Sequence, residues 1–303
     1  MKLNLQVRKP QPAVATQSGT TVQPAGRGFS GRGKRQALGL RAAVYASAAL
    51  TILILGSIVG YILIKGVPNL SPELFAWEYT SKNGSMKPAI INTLSMTALS
   101  LLISVPIGVF AAIYLVEYAK RGNRLVSIVR TTTETLSGIP SIVYGLFGYL
   151  LFVVALKWSY SMLAGALTLA IMVLPVIMRT TEEALKSVPD NYREGSFGLG
   201  AGKLRTVFRV VLPTAIPGIL AGIILAIGRI VGETAALIYT AGTVTGVATG
   251  VFSSGRTLSV HMYALLNEGL HVDKAYGTAV VLLVMVLIIN GISGLIAKGF
   301  TRE

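Results

Sequence analysis

Cysteine is absent from the 303 residues and histidine occurs only twice. That removes disulfides, thiolate nucleophiles and cysteine-held metals from consideration. His261 and His271 have no patterned carboxylate beside them, so they read as structural rather than as ligands, and no metal or cofactor is expected. Charge is scarce as well. Asp, Glu, Lys and Arg make up 13% of the chain, where an ordinary soluble domain carries about a quarter. Hydrophobic residues reach 52% and the mean hydropathy is +0.66. Six stretches hold no charge at all: 42–64, 88–116, 135–156, 158–178, 210–228 and 275–297. A helix needs about 20 apolar residues to cross a bilayer, and lipid admits only helices or closed barrels. An all-α membrane protein with six transmembrane helices is therefore expected.

The uncharged stretch 234–255 is not counted as a seventh span. Its "TAGTVTGVATGVFSSG" is rich in Gly and Thr, weak helix formers to expose to lipid, and it reads as an extracytoplasmic loop.

The net charge of +15 is a matter of orientation, not of nucleic acid. With a cytoplasmic N-terminus and six spans, the inner segments are the tail, 117–134, 179–209 and the C-terminus. They hold 20 of the 27 Lys and Arg residues, which fits both termini in the cytoplasm. Residues 1–41 carry eight Lys/Arg and no acid, and are expected to form a disordered basic cytoplasmic tail drawn to anionic lipid. A first transmembrane helix at 42–64 and an extracytoplasmic loop at 65–87 follow. The core then runs over 88–300, with helices at about 88–116, 135–156, 158–178, 207–240 and 275–297. Two phosphate-loop lookalikes fail on context. "GRGFSG" in the tail has no strand before it, and in "GLGAGK" (198–203) Phe197 replaces the first Gly of a Walker loop while Leu204 follows the lysine. Within the spans there is no His, no Asp and no acid except Glu233, too little for a catalytic centre.

The charged stretch 179–213 carries the most specific signal. Glu194-Gly195-Ser196 is followed after three residues by Gly200, after nine more by Val210, and then by Leu212-Pro213. A short amphipathic helix, a glycine turn and a second basic helix make a compact knob suited to a groove on a partner, with Phe197 and Leu199 as apolar anchors. The pattern resembles the EAA motif of ABC importer permeases, EAA-x3-G-x9-I-x-L-P. Gly195 and Ser196 stand in place of alanines, and Val210 in place of isoleucine. "GIPSIVYGLFGYLLF" (138–152), "RTTEEALKSVP" (179–189) and "GRIVGETAALIYTAG" (228–242) further resemble the phosphate-specific permeases, the A-type subunit more than the C-type.

The resemblance covers about 88–300. It implies the type I importer permease fold in a bacterial or archaeal cell membrane. It implies a translocation subunit for inorganic phosphate that is not itself an enzyme. It further implies a heterodimer with a second homologous permease, two cytoplasmic ATPase subunits and an extracytoplasmic phosphate-binding protein. A permease for another oxyanion, such as sulfate or molybdate, is the alternative.

Arg229 and Glu233 lie in an otherwise apolar stretch. Four residues apart on a helix they share a face, so the expectation is an ion pair. One reading makes it a packing device. The other makes it part of a substrate path, where Arg229 exchanges Glu233 for phosphate and back. Arg179, which matches the Arg of the family's "RTTE" stretch, is either a further path residue or an interfacial cation. Glu182 and Glu183 read as solvated helix charges near Lys186.

Overall fold

A computed structural model describes residues 31–120, 122–269 and 271–301. Most of the tail expected to be disordered, residues 1–30, lies outside them. Two units are separated by their contacts, one up to Gly56 and one from Ser57. Helix α1 (Gly31–Gly66) runs through the first unit, and every side chain from residue 38 to 56 is exposed. An apolar helix with no protein cover suits a lipid surround. It begins at Gly31, so residues 31–41 are helix and not tail. The loss of charge marks a bilayer crossing, whereas Lys, Arg, Gln and Ala on its flank simply prolong the helix.

The second unit holds α2 (Lys87–Ile113), α3 (Arg124–Ser137), α4 (Ser141–Gly148) and α5 (Met162–Lys186). These are followed by α6 (Asp190–Gly198), α7 (Lys203–Thr206), α8 (Leu212–Gly232), α9 (Ala235–Thr240), α10 (Leu258–Glu268) and α11 (Val272–Thr301). Wider π-helical turns extend α2 through Tyr118, α4 through Ala155, and α7 from Val207 to Val211. Among the described residues no strand occurs. Five helical segments are long and apolar enough to cross a membrane, and α3 with α4 makes a sixth if that pair, bent by 107°, is one span.

Two expected helices are broken. The 135–156 window is the end of α3, a turn at Gly138-Ile139-Pro140, and α4. Proline has no N–H to donate and pushes its preceding residue out of the α region. The expected 207–240 helix stops at Gly232. Glu233 then takes extended backbone (φ −71°, ψ 129°) before α9 starts at Ala235.

Helix α5 is the centre of the fold. Two thirds of its most apolar window is buried, against one third for α2 and α8 and 6% for α11. Leu169, Met172, Val173 and Ile177 from α5 meet Met96 from α2 and Ala226 and Ile230 from α8. Small residues allow the approach. A Cβ at Gly218 would stand 2.6 Å from that of Ala184, and one at Gly222 would collide with Thr180. Gly228 and Gly232, by contrast, have nothing within 4 Å of a Cβ, so "GILAG" is a packing motif here and "GRIVG" is not.

The Gly/Thr-rich stretch after α9 is folded onto the ends of α2 and α5. Buried Asn92 donates to the carbonyls of Gly246 (2.9 Å) and Arg256 (3.2 Å) and accepts from the Ala248 amide (3.0 Å). The first amides of α5, at Met162 and Leu163, donate to the Ser253 and Val251 carbonyls. These meet the need for partners at a helix start that has no preceding turn.

Candidate functional site

The hairpin of α6 and α7 begins at Pro189, and Asp190 opens α6 where the helix dipole favours an acid. Gly200, at φ +82°, ends it. The Gly200 and Ala201 amides donate to the Phe197 and Ser196 carbonyls, a left-handed close that glycine adopts without strain. Ser196 and Thr206 join the two limbs through their hydroxyls at 2.8 Å. Glu194, Gly195, Phe197 and Leu199 are exposed, Leu199 to 91%. At the root, Leu212 and Pro213 open α8, and Leu212 packs against a cluster of Leu185, Val188, Val207 and Val211. The hairpin is anchored in apolar core and carries an apolar tip in the open, as a docking element requires.

One residue of this region escaped sequence reading. Arg193 donates from Nε (3.2 Å) and Nη2 (2.8 Å) to Glu117, in the turn that ends α2. It also donates to the carbonyls of Val188 (2.7 Å) and Leu185 (2.9 Å) and to Asp190 (3.1 Å). Glu117 and Arg193 are 76 residues apart and share no local pattern.

The pairing expected for Arg229 and Glu233 is not formed. Arg229 lies in the last turn of α8, half-buried, and no ion pair or hydrogen bond of its side chain is found among the described residues. Glu233 lies beyond the helix end, where the four-residue spacing no longer places side chains on one face. Its buried carboxylate accepts from the Ala236 amide at 3.1 Å and caps α9, while its carbonyl accepts from the Ser259 hydroxyl at 2.6 Å. The guanidinium is thus left open.

Arg179 pairs with Glu183 at 3.1 Å, both exposed. Glu182, expected to be solvated, is buried. It accepts from Arg130 of α3 (3.0 Å) and from Lys186 (2.8 Å), and so ties α3 to α5. The Lys186 contact follows from the four-residue spacing; the Arg130 contact has no local signal. Arg130, Arg179, Glu182, Glu183 and Lys186 together line a cavity of about 240 Å³. The structure therefore gathers Arg179 with Glu182 and Arg130 around one cavity, whose lining does not include Arg229, and sets Glu194 to Ser196 on a separate knob.

Around α10, which is not among the apolar spans, His261 donates from Nε2 to the Gly84 carbonyl (3.2 Å). The Arg256 guanidinium lies 4.5 Å from the centre of the Tyr79 ring, whose edge meets His261. Burial, and then the Arg256 charge, lower the His261 pKa to about 3. Among the described residues no group of three His, Cys, Asp or Glu side chains is placed to hold a metal ion.

Residues 104–302 match the family model for the binding-protein-dependent transport system inner membrane component. A probable ABC transporter permease protein, YqgI of Bacillus subtilis, is 36% identical over 261 residues, covering 80% of this chain and 88% of that one. The phosphate transport system permease protein PstA 1 of Mycobacterium tuberculosis is 36% identical over 235 residues, 77% of this chain and 74% of its own. In fold, a chain of a bacterial alginate ABC transporter solved with a pentasaccharide-bound periplasmic protein superposes with a TM-score of 0.68. It is 16% identical and covers 89% of this chain and 97% of that one.

Proposed function

The chain belongs to the family of binding-protein-dependent transport system inner membrane components, and on that premise we propose that it is the A-type permease subunit of an ABC importer for inorganic phosphate. It is a multi-pass membrane protein and a transport subunit, with ATP hydrolysis on separate ATPase subunits. Its partners are a second homologous permease, two ATPases and an extracytoplasmic phosphate-binding protein. The membrane is a bacterial or archaeal plasma membrane with both termini inside, a reading supported by the placement of 20 of 27 Lys/Arg in the inner segments. Relatives named as phosphate transport permeases support the substrate.

The observation that carries the mechanism is the open guanidinium of Arg229, in an apolar segment at a helix break. A fully paired arginine has no donors left for a passing anion. An open one gives phosphate a charge-assisted, two-pronged contact. Glu233 does not trade with it. By capping α9, the carboxylate holds the break that separates Arg229 from the next helix. Half-exposure keeps the contact weak enough for release, since conduction requires leaving as well as entering. At the cytoplasmic mouth, Arg179 and Arg130 offer the next cations, each moderated by an acid at 3.1 Å or 3.0 Å.

ATP-driven uptake of phosphate, sulfate and molybdate into vesicles holding the whole transporter tests the substrate. Phosphate uptake alone, abolished by omission of the binding protein, is expected. Uptake of sulfate or molybdate in its place would transfer the assignment to that oxyanion.

A further inference from the structure

Helix α6 has nine residues and none of them is buried. A helix that short is marginal in water, and α6 places no side chain of its own in the apolar core at the root of the hairpin. What fixes it is polar. Arg193 makes five hydrogen bonds, to Glu117, Leu185, Val188 and Asp190, matching the five N–H donors a guanidinium owns. Two of the acceptors are carbonyls at the C-terminal end of α5, where a cation is favoured. The Glu117 carboxylate is 8% exposed, so this pair is shielded from competing water.

On the side of α7, the Ser196 and Thr206 hydroxyls meet at 2.8 Å. A cavity of about 960 Å³ opens on the clasp side, with Glu117, Lys120, Arg124, Glu134, Asp190 and Arg193 in its wall. If the clasp is cut, α6 has room to swing.

We infer that Arg193, held by Glu117, is a positioning residue that makes the docking helix a rigid extension of α2 and α5. A displacement of α6 by the ATPase then moves the two helices at the centre of the fold together. The inference rests on reading the α6–α7 hairpin as the ATPase contact. Without the clasp, the stroke of the ATPase is spent on bending α6 into the cavity, and ATP is hydrolysed with less phosphate moved.

The test uses the complete transporter in vesicles and reads phosphate moved per ATP hydrolysed, with co-purification of the ATPases as the check on assembly. Glu117→Gln is expected to lower that ratio several-fold with the ATPases still bound. Arg193→Lys, which keeps the charge but loses the fork, falls between it and the natural protein. Should Glu117→Gln fail to assemble, Arg193→Lys carries the test alone. Asp190→Asn removes only the exposed arm and leaves the ratio unchanged.

An unchanged ratio in both Glu117→Gln and Arg193→Lys overturns the inference, even if uptake and hydrolysis fall together. An equal effect of Asp190→Asn overturns it too. A photo-cross-linker on Leu199→Cys, the sole thiol the chain would have, separates the two levels. Cross-linking to an ATPase with an unchanged ratio removes the clasp alone. No cross-link in the otherwise natural complex removes the docking reading and the clasp with it.

Discussion

Asn92→Ala deletes a side chain that ties three backbone groups of the Gly/Thr-rich stretch 241–257 to α2. The side chain is 1% exposed and makes three hydrogen bonds, at 2.9, 3.2 and 3.0 Å, to Gly246, Arg256 and Ala248. Each such bond contributes about 1 kcal/mol net, and the Arg256 carbonyl left behind is buried, while the Gly246 carbonyl and the Ala248 amide are partly so. The loss is about 3 kcal/mol, or about two orders of magnitude in the opening equilibrium of the segment. Amide hydrogen exchange on the subunit in lipid reads this directly.

The informative amides are those Asn92 never touches: Arg256, bonded to Val244, and Met162 and Leu163, bonded to Ser253 and Val251. All three are expected to exchange about 100-fold faster in the variant, while amides in the middle of α5 stay as slow as before. If Met162 and Leu163 exchange at their original rates, the segment is held by other contacts and the pinning role of Asn92 is refuted.

Other perturbations give equally direct readouts. Gly222→Val drives a side chain into Thr180 and is expected to cost about 1–3 kcal/mol of subunit stability, read by thermal unfolding in detergent. Gly228→Ala, with nothing within 4 Å, is tolerated; equal damage from both would argue against close α5–α8 packing. Glu182→Gln leaves Arg130 and Lys186 without their shared acid. Since both cations are half-exposed, the cost falls to about 1–2 kcal/mol, between exposed and buried pairs, and denaturant unfolding that shows no change would dismiss the tie. His261 is held neutral down to about pH 3, whereas in the unfolded chain it takes a proton near 6.5. Between those values the unfolded state binds the extra proton, so stability falls with acid by up to about 1.4 kcal/mol per pH unit. His261→Gln should flatten the slope of stability against pH below 6.5, and parallel slopes would contradict this.

The helical crossings were legible in the sequence because lipid leaves a long charge-free signature, and the α6–α7 hairpin because the spacing from Glu194 to Pro213 includes Gly200, the turn at φ +82°. The bend at Gly138 to Pro140 was hidden inside a window chosen by charge alone, although Pro140 marked it. Arg229 and Glu233 were misread for a related reason. Four-residue spacing implies a shared face only while the helix continues, and it stops at Gly232. The ties of Glu182 to Arg130 and of Glu117 to Arg193 join residues 52 and 76 positions apart. No periodicity within one helix reports such contacts; they follow from how α2, α3, α5 and α6 pack.

In the proposed transport path, Arg229 meets the transported anion. ATP-driven phosphate uptake by the whole transporter carrying Arg229→Gln tests it most directly, beside Arg229→Lys. Uptake is expected to collapse in Arg229→Gln and to recover only partly in Arg229→Lys, which has the charge without the planar fork, while the complex stays assembled. Normal uptake by an intact Arg229→Gln complex would contradict the claim and leave Arg229 outside the path.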